Sequence, residues 1–300
     1  MRHIAGFALL LALATPAVAS ADAERASVLY SQKDYAGARA IAEPLAAGGD
    51  IEAMAMLGTM YRKGQGVAVS LDKAIAWYEK AAGGGDAAAA LALGLVYLDG
   101  SLGSVDYDKG SKWLRQSATG GNAEAQFNMG LLASGAFNNP PDWAEAARWY
   151  RLSADQAYAP GQYNLGVLFL EGKGVGRDAI AAAAWIGKAA AQGNADAALD
   201  YGVLVFRGDG VRKDEKIGAQ WLLVSARRGN VVAQNRVARL YAFGKAVAAD
   251  PVEAQKWNLL AARGGRPDAE LDNMLGTLTA GQKSEAQSRA DAFKPEGGME

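Results

Sequence analysis

The stretch AIAWYEKAAGGGDAAAALALG, Ala74–Gly94, places one tryptophan among alanines, glycines and a Glu-Lys pair. The segment 36 residues further on, KGSKWLRQSATGGNAEAQFNMG (Lys109–Gly130), has tryptophan and glycine at the same positions. Three more steps of 36 residues give AARWYRLSADQAYAPGQYNLG, AAAWIGKAAAQGNADAALDYG and GAQWLLVSARRGNVVAQNRVA. Self-similarity at a fixed period of this length predicts a chain of stacked supersecondary units.

Counted from Ile51, the chain contains six repeats of 36 residues without insertion or deletion: 51–86, 87–122, 123–158, 159–194, 195–230 and 231–266. Position 27 of every repeat is tryptophan: Trp77, Trp113, Trp149, Trp185, Trp221 and Trp257. Position 8 is glycine in five repeats, Gly58, Gly94, Gly130, Gly166 and Gly202, and becomes Ala238 in the sixth. Small residues let helices approach closely, and a large aromatic side chain can fill the wedge between them. We therefore interpret both sets as structural positions and the tryptophans as core side chains.

Each repeat reads as two helices. Apolar residues at positions 7, 10 and 11 predict a first helix, helix A, over positions 1 to about 13. Alanine and tryptophan at positions 24, 27 and 31 to 32 predict a second, helix B, near positions 21 to 33. Glycine pairs between them, such as Gly172 and Gly174, tolerate positive φ and lack the Gly-Lys-Ser/Thr ending of a phosphate loop, so they predict a turn. Glycine followed by Asp or Asn at the end of a repeat predicts a helix end and the N-cap of the next helix.

The segments on either side of the repeats depart from the pattern. Residues 20–50 keep Ala46, Gly49 and Asp50 in register but have Ile41 in the tryptophan position, which predicts an N-terminal capping helix pair. Residues 267–300 lose both the tryptophan and the loop. Thr279 and Gln282 there resemble a capping box, so we predict C-terminal capping helices followed by a tail.

The combination of Ala-x-x-Trp, Ala-Ala-x-x-Gly-Asn/Asp, Ala-x-x-x-Leu-Gly and a Gly-x-Gly-Val loop resembles the Sel1-like repeat family, a relative of the tetratricopeptide repeat. The repeat 123–158 departs most, with Asn138, Asn139, Pro140 and Pro141 in place of the glycine loop. The resemblance implies an all-α, right-handed α/α superhelical solenoid that serves as a scaffold for protein complexes. It supplies no catalytic motif.

The first residues, MRHIAGFALLLALATPAVAS, have a basic start, a short apolar run and small residues after Pro16. This pattern predicts a cleavable signal peptide over residues 1–19, with cleavage after Ala19 or, as an alternative, after Ala21. The apolar run is too short to span a bilayer comfortably, so no direct membrane insertion is expected. We therefore expect a periplasmic protein of a Gram-negative bacterium or a secreted protein.

Composition excludes several kinds of chemistry. The chain has no cysteine, and its one histidine, His3, leaves with the predicted signal peptide. Catalytic Ser-His or Cys-His pairs and the usual zinc or copper sites need these side chains, so we expect a non-enzymatic protein without metal or cofactor. The net charge is −1 for the whole chain, which indicates neither nucleic acid nor an anionic membrane as partner.

A possible binding surface follows from related solenoids, in which positions 5, 9 and 12 of helix A face the concave side. The middle repeats fill these positions with apolar residues, and we refer to them as the A-helix strip: Leu91, Leu95, Leu98, Phe127, Leu131, Tyr163, Val167, Leu170, Leu199, Val203 and Phe206. Such a strip on an otherwise polar protein marks a partner site. The alternative is that neighbouring A helices bury these residues against each other.

Three functions are compatible with these features. The first is a scaffold that binds a protein or peptide of the cell envelope, with no particular oligomeric state predicted. The second is a periplasmic regulator of a membrane sensor kinase, because the signal peptide, length and repeats resemble such regulators. The third is an enzyme acting on cell-wall glycan or peptide, with Asp99, Asp106 and Asp108 as candidate carboxylates, although solvated turn residues are the ordinary explanation of that cluster. The irregular loop from Asn138 to Trp143 is an alternative binding surface.

Overall fold

The computed structural model describes residues 16–136 and 140–297, and these residues form helices and no strand. The helices in the first of two compact units, residues 1–125, are α1 (Pro16–Ser31), α2 (Tyr35–Ala47), α3 (Ile51–Lys63), α4 (Leu71–Gly83), α5 (Ala87–Leu98) and α6 (Tyr107–Thr119). Helix α7 (Ala123–Ala133) begins just before the boundary. The second unit, residues 126–300, continues with α8 (Trp143–Asp155), α9 (Ala159–Glu171), α10 (Ala179–Ala191), α11 (Ala195–Arg207), α12 (Glu215–Arg227), α13 (Val231–Phe243), α14 (Pro251–Arg263), α15 (Ala269–Leu275) and α16 (Ala280–Asp291).

The architecture is an all-α repeat solenoid, as the sequence predicted. Helices α3, α5, α7, α9, α11 and α13 are the A helices of the six repeats, and the helices that follow each of them, up to α14, are the B helices. In the first repeat helix A covers positions 1 to 13 and helix B positions 21 to 33, so the predicted bounds are confirmed. Within the described part of the chain, no helix has the length and apolarity that crossing a bilayer would require.

Local hydrogen bonds explain where the A helices begin. The residue that precedes helix A accepts a hydrogen bond from a backbone N–H of the first turn in five places: Asp50, Asp86, Asn122, Asn194 and Asn230. These are the N-caps that the sequence predicted. Helix α9 is the exception, because Tyr158 makes no side-chain cap and Ala157, with φ of 61°, stands where the other repeats have glycine.

The second glycine of the interhelical loop is required by its surroundings. Gly174 and Gly210 have positive φ, and a Cβ on either would collide with backbone at the start of the preceding helix B, at Trp143 and Ala179 respectively. The glycines therefore allow a turn to lie directly on the neighbouring repeat, which confirms their assignment to turns. In the sixth repeat, Ala246 adopts the left-handed conformation at this position with φ of 62°.

The centre of each repeat is formed by the residue at position 28 of the repeat, which lies in helix B. This residue is buried in all six repeats: Tyr78, Leu114, Tyr150, Ile186, Leu222 and Asn258. This side chain lies against position 8 of helix A. A Cβ on Gly166 would be 2.5 Å from Ile186 Cγ1, and one on Gly58 would be 2.6 Å from Tyr78 Cδ1. Such distances are too short for carbon atoms, so glycine at position 8 makes room for the large side chain at position 28.

The tryptophans at position 27 are not the central core side chains that the sequence predicted. Only Trp257 is buried, and the other five are half-buried. Trp185 packs against the cluster built on Tyr150 and Leu165, which reaches into the preceding repeat, and Lys188 Nζ lies 3.9 Å from the centroid of its ring. Trp185 therefore contacts the preceding repeat with Lys188 over its ring, while the next residue, Ile186, fills the core.

The ends of the described chain follow the departures seen in the sequence. Helix α1 begins at Pro16, inside the predicted signal peptide, of which residues 1–15 lie outside the described residues. Helices α1 and α2 precede the first repeat, and α15 and α16 follow the last. The predicted capping box at the start of α16 is confirmed, because Thr279 and Gln282 each bond the backbone of the other.

Candidate partner-binding surface

The A-helix strip is distributed over four helices. Three of its residues, Leu91, Leu95 and Leu98, lie on α5 in the first compact unit, and the other eight lie on α7, α9 and α11 in the second. Ten of the eleven are half-buried. Leu91 is the exception at 8% exposure, so it belongs to the core and does not line an open surface.

Much of the strip packs on neighbouring helices of its own compact unit. Phe127 and Leu131 contact the cluster of Tyr150 and Leu165. Tyr163 and Leu170 contact the cluster that contains Ile186 and Leu204, and Leu199, Val203 and Phe206 contact the cluster around Leu222, Val237 and Leu240. In the first unit, Leu98 fills the space above Gly110 of α6. The two hypotheses from the sequence, an open groove and mutual packing, therefore both hold in part. These half-buried side chains pack on neighbouring helices and also keep part of their surface accessible.

One polar pair lies within the strip. The Tyr163 hydroxyl donates a hydrogen bond of 2.9 Å to Asp200 Oδ2 on the next A helix. Burial raises the pKa of Tyr163, and the neighbouring carboxylate raises it further. Burial also raises the pKa of Asp200, which the hydrogen bond from Tyr163 and the charge of Arg236 oppose. The pair thus links α9 to α11 beside the half-buried apolar side chains, and the sequence analysis did not identify it.

The strip ends in a pocket of about 190 Å³ in the second unit. Val203 and Phe206 of the strip line it together with Leu222 and Leu240. Four cationic residues complete the lining: Arg207, Arg236, Arg239 and Lys245. Reasoning from the sequence missed this grouping, whose only sequence signal is arginine at positions 6, 9 and 13 of consecutive A helices.

Arg239 is bound within the protein. Its Nε donates to Asp268 Oδ2 at 2.8 Å and its Nη2 to Oδ1 at 2.9 Å, while Glu270 lies 2.9 Å away. Burial opposes ionisation of Asp268, but hydrogen bonds from Arg239, Asn235 and the N–H of Leu271 outweigh it and lower the pKa of Asp268 to about 2. The charge of Arg239 is therefore neutralised within the protein, and this residue has a structural role.

The acidic residues considered for catalysis have structural roles. Asp106 caps α6 by accepting from the N–H of Lys109, and Asp99 accepts from the N–H of Ser101 at 2.7 Å. Asp108 is exposed in the first turn of α6. The described residues contain no group of three or more acidic, histidine or cysteine side chains placed to hold a metal ion. These carboxylates therefore fit the explanation that the acidic cluster consists of solvated turn and cap residues.

The irregular loop of the third repeat is described only in part. Asn138 and Asn139 lie outside the described residues. Trp143 is half-buried, packs on the cluster of Tyr150 and Leu165, and carries Lys173 Nζ at 4.7 Å from its ring centroid. It is therefore a packing residue in the same cluster as Trp185.

The helix pairs and their interlocked glycines define an α-helical repeat protein. The Sel1 repeat family model matches residues 51–86, 87–122, 123–158, 159–194, 195–230 and 231–265. The chain therefore belongs to the Sel1 repeat family. Proteins of this family generally mediate protein–protein interactions and are generally not enzymes.

Solved structures with the same repeat are similar to the chain. A Sel1 repeat protein from Oxalobacter formigenes is 28% identical with a TM-score of 0.71, over 80% of this chain and 96% of that protein. A protective antigen present in uropathogenic Escherichia coli strains, which displays an SLR fold, is 24% identical with a TM-score of 0.41, over 92% of this chain and 76% of that protein. No curated protein matches the chain significantly.

Proposed function

We propose that this protein is an exported, non-enzymatic adaptor that binds a protein or peptide partner of the cell envelope along its A-helix strip. Export is supported by the signal-peptide pattern of residues 1–19 and by a sequence that has no cysteine to oxidise. Membership in the Sel1 repeat family supports a role in protein binding.

The observation that carries the proposal is the half-burial of the strip. Eight apolar side chains on the A helices α7, α9 and α11 of the second unit each keep a part of their surface accessible. Most of these side chains pack on a buried cluster that holds them in place, so little of their entropy remains to be lost when a partner covers the accessible part. A row of ordered, partly exposed apolar side chains is therefore suited to contact with an extended segment.

The test uses the full chain with a C-terminal tag in a Gram-negative host. A photo-crosslinking amino acid replaces Val167, in the strip, or Ala184, an exposed residue of α10, as the matched control. We expect osmotic shock to release the protein without residues 1–19, and a cross-linked protein to form at Val167 and not at Ala184. Retention in the cytoplasm would contradict export, and equal cross-linking at both positions would contradict the binding surface.

The identity of the cross-linked protein separates the two non-enzymatic roles. Mass spectrometry that identifies the external domain of a membrane sensor kinase would assign the narrower role of periplasmic regulator. A soluble or outer-membrane envelope protein would assign the adaptor role.

A further inference from the structure

The pocket at the end of the strip combines an apolar floor with two arginines that form no direct ion pair among the described residues. Arg207 and Arg236 line it, and Arg266 lies close enough to repel Arg236. Among the described residues, none of these three arginines forms a hydrogen bond or ion pair through its side chain. Arg239, the fourth arginine of this region, differs because Asp268 and Glu270 neutralise it.

Arg236 is held in an unfavourable electrostatic position. Desolvation comes first among the effects that lower its pKa, followed by repulsion from Arg207 and Arg266, and the carboxylate of Asp200 only partly compensates. An arginine keeps its charge at any physiological pH, so the fold bears this repulsion permanently. An external anion would relieve it.

The apolar part of the pocket can accommodate one side chain of a partner. Lys245 lies over the ring of Phe206, with its Nζ 5.1 Å from the ring centroid. The charge of Lys245 also helps to lower the pKa of Glu215. The pocket of about 190 Å³ is smaller than the roughly 300 to 1,000 Å³ of sites that enclose a small molecule. Its size suits one anchoring side chain of a larger partner.

We propose that this pocket binds an acidic peptide segment, with an aliphatic side chain on Val203, Phe206 and Leu240 and flanking carboxylates on Arg207 and Arg236. The inference rests on the proposed function, in which the strip receives a protein segment, and it adds the chemistry of that segment. Guanidinium groups bind carboxylates through two parallel hydrogen bonds, which favours aspartate and glutamate side chains or a chain terminus. Charge complementarity therefore selects an acidic partner, and the apolar floor selects its register.

The test measures binding of a fluorescein-labelled Glu-Leu-Glu-Leu-Glu peptide to the purified chain by fluorescence anisotropy. We expect binding that weakens as salt is added, and at least tenfold weaker binding of the matched Gln-Leu-Gln-Leu-Gln peptide. Arg236→Gln and Arg207→Gln should each weaken binding of the acidic peptide about tenfold. Arg212→Gln, an exposed arginine in the loop of the same repeat, is the matched control and should leave binding unchanged.

A stability measurement separates binding from a structural role. Removing a repelled charge should leave the melting midpoint of Arg236→Gln equal to or above that of the parent. A lower midpoint together with lost binding would overturn the proposal, because Arg236 would then support the fold. Binding of decanoate in place of the peptide would also overturn it in favour of a fatty acid. Equal binding of the acidic and neutral peptides would overturn it as well, because the charge of the peptide would then not determine binding.

The two proposals fail separately. Cross-linking at Val167 without any binding of the acidic peptide would overturn the chemistry assigned to the pocket and leave the strip as the binding surface. Binding of the acidic peptide that is lost in Arg236→Gln, with no cross-link at Val167, would support the pocket and contradict the wider strip.

Discussion

The fourth and sixth repeats build the same helix pair with different side chains. In the fourth, Gly166 of α9 lies under Ile186 of α10. In the sixth, Ala238 of α13 replaces the glycine, and Asn258 of α14, which is buried, replaces the large apolar residue. The difference shows that position 8 and position 28 act as a pair. Glycine is present because its partner is large, since a helix interior does not otherwise favour glycine.

The surfaces of the two repeats also differ, because the fourth is more apolar and the sixth more polar. The fourth presents Tyr163 and Val167 of the A-helix strip, whereas the sixth has Asn235 and Arg239, which both bond Asp268 at the start of α15. Asn258 also reaches α15, donating to Asp272 at 2.6 Å. The last repeat therefore joins a capping helix through a group of hydrogen bonds, whereas the fourth repeat contacts the next one through apolar side chains together with the Tyr163–Asp200 hydrogen bond.

The largest expected effect is at position 28. Ile186→Ala should destabilise the protein by about 2 to 5 kcal/mol, because it removes a fully buried side chain and leaves a cavity. Asn258→Ala should cost less, about 1.5 kcal/mol, the low end for a hydrogen bond to a charged group, because Asp272 is exposed. Guanidinium unfolding of both variants measures the difference. Equal costs would show that the two repeats depend on position 28 in the same way.

The next effect is at position 8. Gly166→Ala should destabilise by about 1 to 3 kcal/mol through overpacking against Ile186. Gly202→Ala should cost less, since its Cβ would lie 3.1 Å from the nearest atoms, Gly218 O and Leu222 N, against 2.5 Å from Ile186 Cγ1 for Gly166. The reverse change, Ala238→Gly, should cost about 1 kcal/mol from helix propensity. A stabilising Gly166→Ala would contradict the pairing of positions 8 and 28.

A smaller effect is the pH dependence of the last repeat. The pKa of Asp268 is about 2 in the folded protein, below its ordinary value of 3.8, so its ionised form stabilises the fold. This contribution is fully present above about pH 4 and is lost as the pH falls toward 2. Asp268→Asn keeps an N-cap residue, so the difference in melting midpoint between parent and variant should shrink from pH 6 to pH 2.5. A constant difference would show that the charge of Asp268 is not the source.

The smallest expected effect concerns the lysines over the tryptophans. Lys188→Gln removes the cation above Trp185 and should cost about 0.5 to 1 kcal/mol. A matched change at Lys216, an exposed lysine of α12, should be neutral. The melting midpoints of both variants are measured by thermal unfolding in low salt. An equal change in the two would show that the contact between lysine and the tryptophan ring does not contribute to stability.

Local sequence signals account for most of the predicted fold. Helix bounds, N-caps such as Asp86 and Asn194, and loop glycines such as Gly174 were predictable because each depends on residues within one turn or loop. The burial of individual side chains was less predictable. Leu91 proved to be a core residue, although it shares position 5 with the half-buried Tyr163.

The sequence by itself determined the repeat, its two helices and its family, because a period of 36 residues and the caps within it are properties of the chain order. Only the tertiary structure decided that Ile186 rather than Trp185 fills the centre of its repeat. Adjacent helical positions point about 100° apart, and both can belong to one broad apolar face. The tertiary structure also brought Arg207 and Arg236 to one pocket, since residues of different repeats meet only when the A helices pack side by side.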